Sequence, residues 1–497
     1  MNGEEAFGGR DLSALRRASI LAAVTLSTTL YGTTVLVVST VLPQMQGSLS
    51  ATQDQIAWAM TFNIVATAIV TPMTGWLTGR FGRRAVMLWG MAVFGAATLG
   101  CGFATSLESL VLFRVVQGAA GAPIIPLAQA ITQDTYPRAQ HGTAMAAFGM
   151  GVVVGPVIGP VVGGYLTEAY NWRWAFFMVV PVAGASWLAM WLVLTDGGRL
   201  RRARLDWTGF LALSVAVVCF QLMMDRGERR DWFDSTEILL EACLAGIGLY
   251  IFLAHSLTTR RPFLNLKLLL DRNYALGLCI VGIYGMLNFT PMVMLPPMLQ
   301  DLAGFPNAVV GQLVAARGVG AILGFFLAMY VGRLDPRIGM TAGFGIMAAS
   351  GWIMMQFDAN ATWWDVALVS WMQGVAVGIT WVPLTVATFS TLDPRYLPET
   401  SSVYHLMRNL GSSFFISVSV TVLLRTGGVN YGRLTEFVTP YNEALAVIDT
   451  GTASGLAALS GEIGQQAAMI GYLNAFTAYT AVALAALPLV LLMRIRR

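Results

Sequence analysis

Three arginines stand where arginine is costly. Arg114, Arg317 and Arg408 each lie inside an apolar run, and a cation held in hydrocarbon needs a partner, a wet cavity or a task. His405, one of three histidines, sits three residues before Arg408, so the two project from similar faces of one helix. An imidazole, with an ordinary pKa of about 6.5, changes charge near physiological pH. These residue types suit proton exchange and the holding of charged groups. Arg317 and Arg408 suit anionic groups, and Tyr284, Asn288 and Phe289 suit the wall of an adaptable pocket. The acids supply fewer candidates, because none of the 26 falls in the clear middle of an apolar run. Asp54 opens one such run, either as a helix N-terminal acid favoured by the macrodipole or as part of a proton path. Asp134 closes another and is expected to brace it, while Glu168 is expected to pair with Arg173. Covalent chemistry lacks its parts. No phosphate loop, nucleophile triad or metal-ligand cluster is legible, so no enzyme activity, metal or cofactor is expected.

What must position these side chains is a membrane bundle. Charged residues make up 11% of the 497 and apolar residues 56%, with a mean hydropathy of +0.65. An ordinary soluble protein carries roughly 25% charge. Lys267 is the sole lysine and the net charge is +4, which excludes a basic face for nucleic acid. The four cysteines lie widely spaced in apolar runs and read as packing residues. No cleavable leader is expected, since the run after Arg17 is too long for one.

A helical span needs about 20 apolar residues to cross a hydrocarbon core about 30 Å thick. Fourteen such spans are predicted: near 17–42, 56–78, 84–104, 108–132, 143–165, 174–195, 207–225, 236–256, 274–299, 308–331, 338–357, 363–386, 402–424 and 472–493. With the N-terminus inside, 21 of the 30 lysines and arginines fall on inner segments and six on outer ones. That bias predicts both termini in the cytoplasm. The longest outer segment, 425–470, is either a solvated connector or a set of short amphipathic helices.

The fifth span is dense in glycine and proline. Gly151, Gly155 and Gly159 form a four-residue ladder that lets another backbone approach closely. Pro156 and Pro160 interrupt its hydrogen-bond ladder, which marks a helix built to change shape. The turn Gly75-Trp-Leu-Thr-Gly79-Arg80-Phe-Gly82-Arg83-Arg84 is echoed after the tenth span by Gly332-Arg333-Leu-Asp335-Pro-Arg337-Ile-Gly339. The echo predicts two six-helix halves with an inserted helix pair, a common plan for secondary transporters.

Several of these runs resemble one family. Gly155-Pro-Val-Ile-Gly-Pro-Val-Val-Gly-Gly164 is similar to the antiporter motif of major facilitator drug exporters. The turn at 75–84 is similar to that superfamily's signature, and Arg114-Val-Val-Gln117-Gly118 to its fourth-span arginine motif. Trp172-Arg-Trp174, Asp231-Trp232-Phe233, Leu295-Pro-Pro and Arg408-Asn-Leu-Gly-Ser-Ser413 extend the match. Together they resemble the fourteen-span drug:proton antiporters of the EmrB/QacA type, nearer to EmrB.

The resemblance implies an all-α polytopic membrane protein with a cytoplasmic tail at 1–16 and halves at 17–200 and 261–497, the inserted pair occupying 201–260. It implies proton-driven export of small hydrophobic or amphipathic compounds across an inner membrane by alternating access. It gives Arg114 a part in proton transfer and makes Gly75, Arg80, Gly82, Arg83 and Arg84 a cytoplasmic gate. A periplasmic adaptor and an outer-membrane channel are the implied protein partners, meeting the outer loops. The chain also departs from the family. Members carry an aspartate in the first span about nine residues before a proline, whereas counting back from Pro43 gives Thr34. The acid expected in the 75–84 turn is Gly79. Thr34 and Gln117 then join the cavity candidates, and proton coupling passes to His405, Arg114 and Asp54. The alternative is an exporter of one lipid-like or siderophore-like metabolite with different or no proton coupling. A receptor or membrane enzyme on this scaffold fits less well, given the antiporter helix and the missing catalytic groups.

Overall fold

A computed structural model of the chain describes residues 12–195, 205–259, 262–331, 335–358, 361–439 and 452–494. Most of the tail expected at 1–16, and the centre of the outer segment, lie outside these residues, as do the side chains of Asp54 and Pro160.

The described residues are helical wherever an apolar run is long. This follows from the solvent: in hydrocarbon each backbone N–H and C=O must find its partner within the protein, and a helix satisfies them internally. The helices are α1 (Ala14–Ser48), α2 (Gln53–Val70), α3 (Thr74–Phe81), α4 (Arg83–Phe103), α5 (Leu107–Gly121), α6 (Ile124–Thr135) and α7 (His141–Ala169). Next come α8 (Trp174–Phe177), α9 (Val179–Val193), α10 (Trp207–Arg226), α11 (Thr236–Thr258) and α12 (Arg272–Pro297). The last five are α13 (Asn307–Val331), α14 (Pro336–Met354), α15 (Trp363–Phe389), α16 (Leu397–Thr435) and α17 (Ala453–Leu491). Their starts are capped as their sequences dictate. Thr52, Ser106 and Thr362 form reciprocal capping boxes, and Asp206, Asp271 and Asp335 accept from the first turns of α10, α12 and α14.

Among the described residues, twelve helices are long and apolar enough to cross a membrane. Each corresponds to a predicted span. The first and eleventh predicted spans correspond to α1, of 35 residues, and α14, of 19.

Packing repeats itself along the chain. In the first group α1 lies along α7, α2 along α5, and α4 against α5 and α9. In the second, α12 lies along α16, α13 along α15, and α14 against α15 and α17. These are equivalent pairings if the two groups are copies of one plan. The pair α10 and α11 packs on itself, and α10 reaches both groups, touching α2 and α16. Thr61 donates to Asp225 at 2.9 Å on one side of α10, and Gln221 donates to Ser413 at 2.5 Å on the other.

The stretch 425–470, expected to lie outside as a connector or as short amphipathic helices, is helical at both ends. Helix α16 runs unbroken to Thr435, and α17 begins at Ala453, well before the predicted span. The two extensions lie side by side, joined between the Tyr431 and Ser460 hydroxyls at 2.9 Å. Their Gly- and Ala-rich composition carries no strong apolar stripe. The costly nucleation step is already met by the helix below, and packing of the two arms on each other offsets the roughly 1 kcal/mol that each glycine costs relative to alanine.

Candidate functional site

The glycine ladder is turned toward α1. A Cβ at Gly155 would fall on the Thr29 carbonyl, one at Gly151 on the Thr25 methyl, and one at Gly159 within 2.7 Å of the Thr33 carbonyl. Thr29 and Thr33 then donate their hydroxyls to the carbonyls of Gly151 and Gly155, at 2.7 and 3.2 Å. Pro156 packs back on Gly32. Since α1 and α7 belong to one group, the ladder builds that group from within. The face of α7 that meets the second group is a different one: Gly149 lies against the Phe325 ring and Val157 against Gly318.

Arg114 is also internal to the first group. It is 2% exposed, donating to the Ala59 carbonyl at 2.9 Å and to Gln117 at 2.5 Å. Gln117 passes the chain on to the Thr98 hydroxyl at 2.6 Å. Asn63, on the facing helix, donates to the Arg114 carbonyl at 2.8 Å, and no side chain larger than hydrogen would fit at Gly118 beside it. Three helices are thereby tied through one guanidinium, and no carboxylate among the described residues shares it. Thr34 is buried and donates to the Tyr31 carbonyl of its own helix at 2.8 Å.

His405 joins the two groups. Its Nε2 meets Gln129 Oε1 of α6 at 2.6 Å across the interface, and the residue is 2% exposed. Its Nδ1 and the Gln129 amide nitrogen have no partner. The Trp381 ring stands 5.8 Å away and the Tyr404 ring 5.6 Å. One turn further along, Arg408 is 9% exposed and lies over Trp381 and Phe289. The Tyr284 ring is tilted against Trp381 with centroids 5.4 Å apart. Arg317 reaches Asn288. Six of the residues singled out in the sequence therefore gather around α12 and α16: His405, Arg408, Tyr284, Phe289, Asn288 and Arg317. Gln129 and Trp381 were missed, although a lone amide inside the apolar run 124–131 carries the same signal as the arginines.

The turn at 75–84 packs against the second group. Gly82 adopts φ +85°, a conformation that favours glycine, and it separates α3 from α4. Arg83 pairs with Asp134 at the end of α6, so the expected brace exists and joins two helices of one group. Arg84 donates to the Trp191 carbonyl at 3.1 Å, while Arg80 is exposed. Gly75 lies against the start of α16, where a Cβ would stand 2.9 Å from that of Glu399. Glu399 accepts from the Asn265 amide at 2.7 Å. The expected Glu168–Arg173 pair is not made. Arg173 lies over Trp172 and donates to the Ala104 carbonyl at 3.0 Å.

Comparison with known proteins adds the following. The sequence model of the Major Facilitator Superfamily matches residues 24–416. The chain is 33% identical over 405 residues to the multidrug export protein EmrB of Escherichia coli strain K12, an alignment covering 81% of this chain and 79% of that one. It is 31% identical over 461 residues to the fatty acid resistance protein FarB of Neisseria gonorrhoeae, covering 90% of each. Among solved structures, the human organic anion transporter MFSD10 superposes with a TM-score of 0.60 at 13% identity, covering 95% of this chain and 100% of that one. The proton:xylose symporter XylE gives 0.59 at 13% identity, covering 92% and 95%. At such identities the two structures establish a shared fold.

Proposed function

This chain belongs to the Major Facilitator Superfamily, a family of transporters with EmrB-like drug exporters among its members, and from that premise we propose that it expels amphipathic or hydrophobic compounds by proton-coupled alternating access. The observation that carries the reading is the bond from His405 to Gln129. It spans the two groups of helices, and a titratable ring is one of its partners. Neutral imidazole with its proton on Nε2 donates to the Gln129 carbonyl oxygen. A second proton on Nδ1 adds a charge where no partner waits, so protonation and separation of the groups are linked. Contacts at Gly75, Gly149 and Gln129 gather toward one end of the bundle, which supports a state closed at that end.

In this reading fourteen helices cross an inner membrane with both termini cytoplasmic. Residues 17–200 and 261–497 are the moving halves, and 201–260 the inserted pair. The extended arms of α16 and α17 then stand outside, available to an adaptor that leads to an outer-membrane channel. Arg114 holds the first half together and Asp54 remains a candidate on the proton path. The names of EmrB and FarB support a drug-like or lipid-like cargo.

Two experiments test this. In proteoliposomes with an imposed pH gradient, His405→Ala is expected to keep downhill movement of a lipophilic dye and to lose about tenfold or more of its gradient acceleration. Full acceleration in His405→Ala, with loss in Asp54→Asn, moves the coupling to Asp54. The orientation has its own check. Gly428 is exposed with nothing within 4 Å of where a side chain would start, so a cysteine there is tolerated. It should react with a membrane-impermeant maleimide added outside intact cells. Labelling only after the cytoplasmic face is opened reverses the topology.

A further inference from the structure

The inserted pair touches both groups, but not equally. Its hold on the second group runs along the length of α10. At the start of that helix, Asp206 accepts from the Phe263 N–H at 3.0 Å and meets His255 of α11 at 2.8 Å. Two residues on, the Asn265 N–H donates to Glu399 of α16 at 2.7 Å. The Phe210 and Phe263 ring centroids stand 5.4 Å apart. Ala212, Leu213 and Val217 of α10 form one buried cluster with Leu264 and with Leu406 of α16. Farther along, Gln221 donates to Ser413 at 2.5 Å. Past the end of α10, Glu228 accepts from the Trp232 indole N–H at 2.6 Å and pairs with Arg425 of α16 at 3.7 Å.

The hold on the first group is slight. Among the described residues, Ala68 of α2 is the one residue of that group packed on the same cluster, and its side chain is a single methyl. Thr61 adds one hydrogen bond, to Asp225 at 2.9 Å, in an exposed position. The two sides of α10 therefore resist movement differently. Interlocked side chains part only together, since every gap forfeits its dispersion contacts. A methyl has little to catch on, and an exposed hydrogen bond is readily exchanged for one with water.

We propose that the inserted pair travels with the second half as one body, and that α2 slides along α10 whenever the halves part. The inference rests on the alternating access of the export reading above and says which moving body carries residues 207–258. Each cycle then breaks the Thr61–Asp225 bond and keeps the Glu228–Arg425 pair. The boundary between α2 and α16 stays spanned throughout by a helix fixed to one side of it.

The test ties the pair to each half in turn. The background first has its four free cysteines replaced. Glu228→Cys with Arg425→Cys then links the pair to the second half, and Thr61→Cys with Asp225→Cys links it to the first. A short bis-methanethiosulfonate reagent bridges either couple and is released by reduction. In proteoliposomes with an imposed pH gradient, the 228–425 bridge should leave dye efflux near its unbridged rate. The 61–225 bridge should abolish efflux, with full return on reduction. The opposite pattern puts the pair on the first half and overturns the proposal. Loss with both bridges, or with neither, overturns it as well. A second measurement does not depend on efflux. Spin labels replace Leu257 of α11, Ile338 of α14 and Phe81 of α3, all exposed. As the pH is stepped, the 257–338 distance should hold and the 257–81 distance should shift. Those distances in a chain that moves no dye sink the export reading and leave the assignment. Gradient-driven efflux with a shifting 257–338 distance does the reverse.

Discussion

Leucine at Gly155 is expected to reduce the yield of folded protein to near background, while leucine at Gly164 on the same helix leaves it near that of the unaltered chain. The Gly155 hydrogen faces the carbonyl of Thr29, and that carbonyl is backbone. A flexible side chain can turn aside, whereas a carbonyl moves only with its helix. Overpacking in a yielding core costs about 1–3 kcal/mol, and here the obstacle does not yield. Parting α1 from α7 also breaks the Thr29 and Thr33 bonds to the Gly151 and Gly155 carbonyls. Gly164 has nothing within 4 Å of where its side chain would begin. Fluorescence-detected size exclusion of tagged variants reads the result. A monodisperse Gly155→Leu protein with unimpaired efflux would falsify the rigid seam.

A reversible loss of all transport is expected from cysteines at positions 75 and 399. The background first needs Cys101, Cys219, Cys243 and Cys279 replaced, since all four are free. A Cβ on Gly75 stands 2.9 Å from that of Glu399, and a disulfide needs about 3.5–4.5 Å, so a small retreat of α3 from α16 gives bonding geometry. These helices belong to opposite groups. Oxidation pins one end of the bundle shut, and alternating access requires that end to open. Dye efflux should fall to background on oxidation and return on reduction. Turnover that continues with the disulfide fully formed means the two groups do not part there.

The membrane-crossing helices were legible because their signal is local: an apolar run long enough to cross hydrocarbon says so by itself. The embedded arginines were legible for the same reason, as charges in the wrong solvent. Partners were not. His405 and Gln129 are 276 residues apart, and nothing near either names the other. The direction of the glycine ladder was hidden too. Its spacing announces that a backbone comes close, but not whether that backbone belongs to its own half. The arms of α16 and α17 were half legible: helices were one of the two readings of that stretch, but as separate short ones rather than as continuations of the flanking helices. Glycine and alanine in that stretch instead keep two long helices in contact. Gly75 stood out as part of a turn, yet its partner Glu399 carried no signal beyond being an acid near a helix start.

In the proposed orientation those arms change what a turnover looks like from outside. Helix α16 has 39 residues and α17 another 39. At 1.5 Å per residue each is about 58 Å long, roughly twice a hydrocarbon core of about 30 Å. A tilt of the second half about the membrane centre is therefore not confined to the bilayer. In that orientation the paired arms carry it outward as a lever does, and their far ends sweep farther than the helices that drive them. With Tyr431 and Ser460 linking the arms, they swing as one piece. A neighbour resting on those ends would feel each cycle as a push, so the state of the inner end is signalled at a distance with no contact between that neighbour and the cargo.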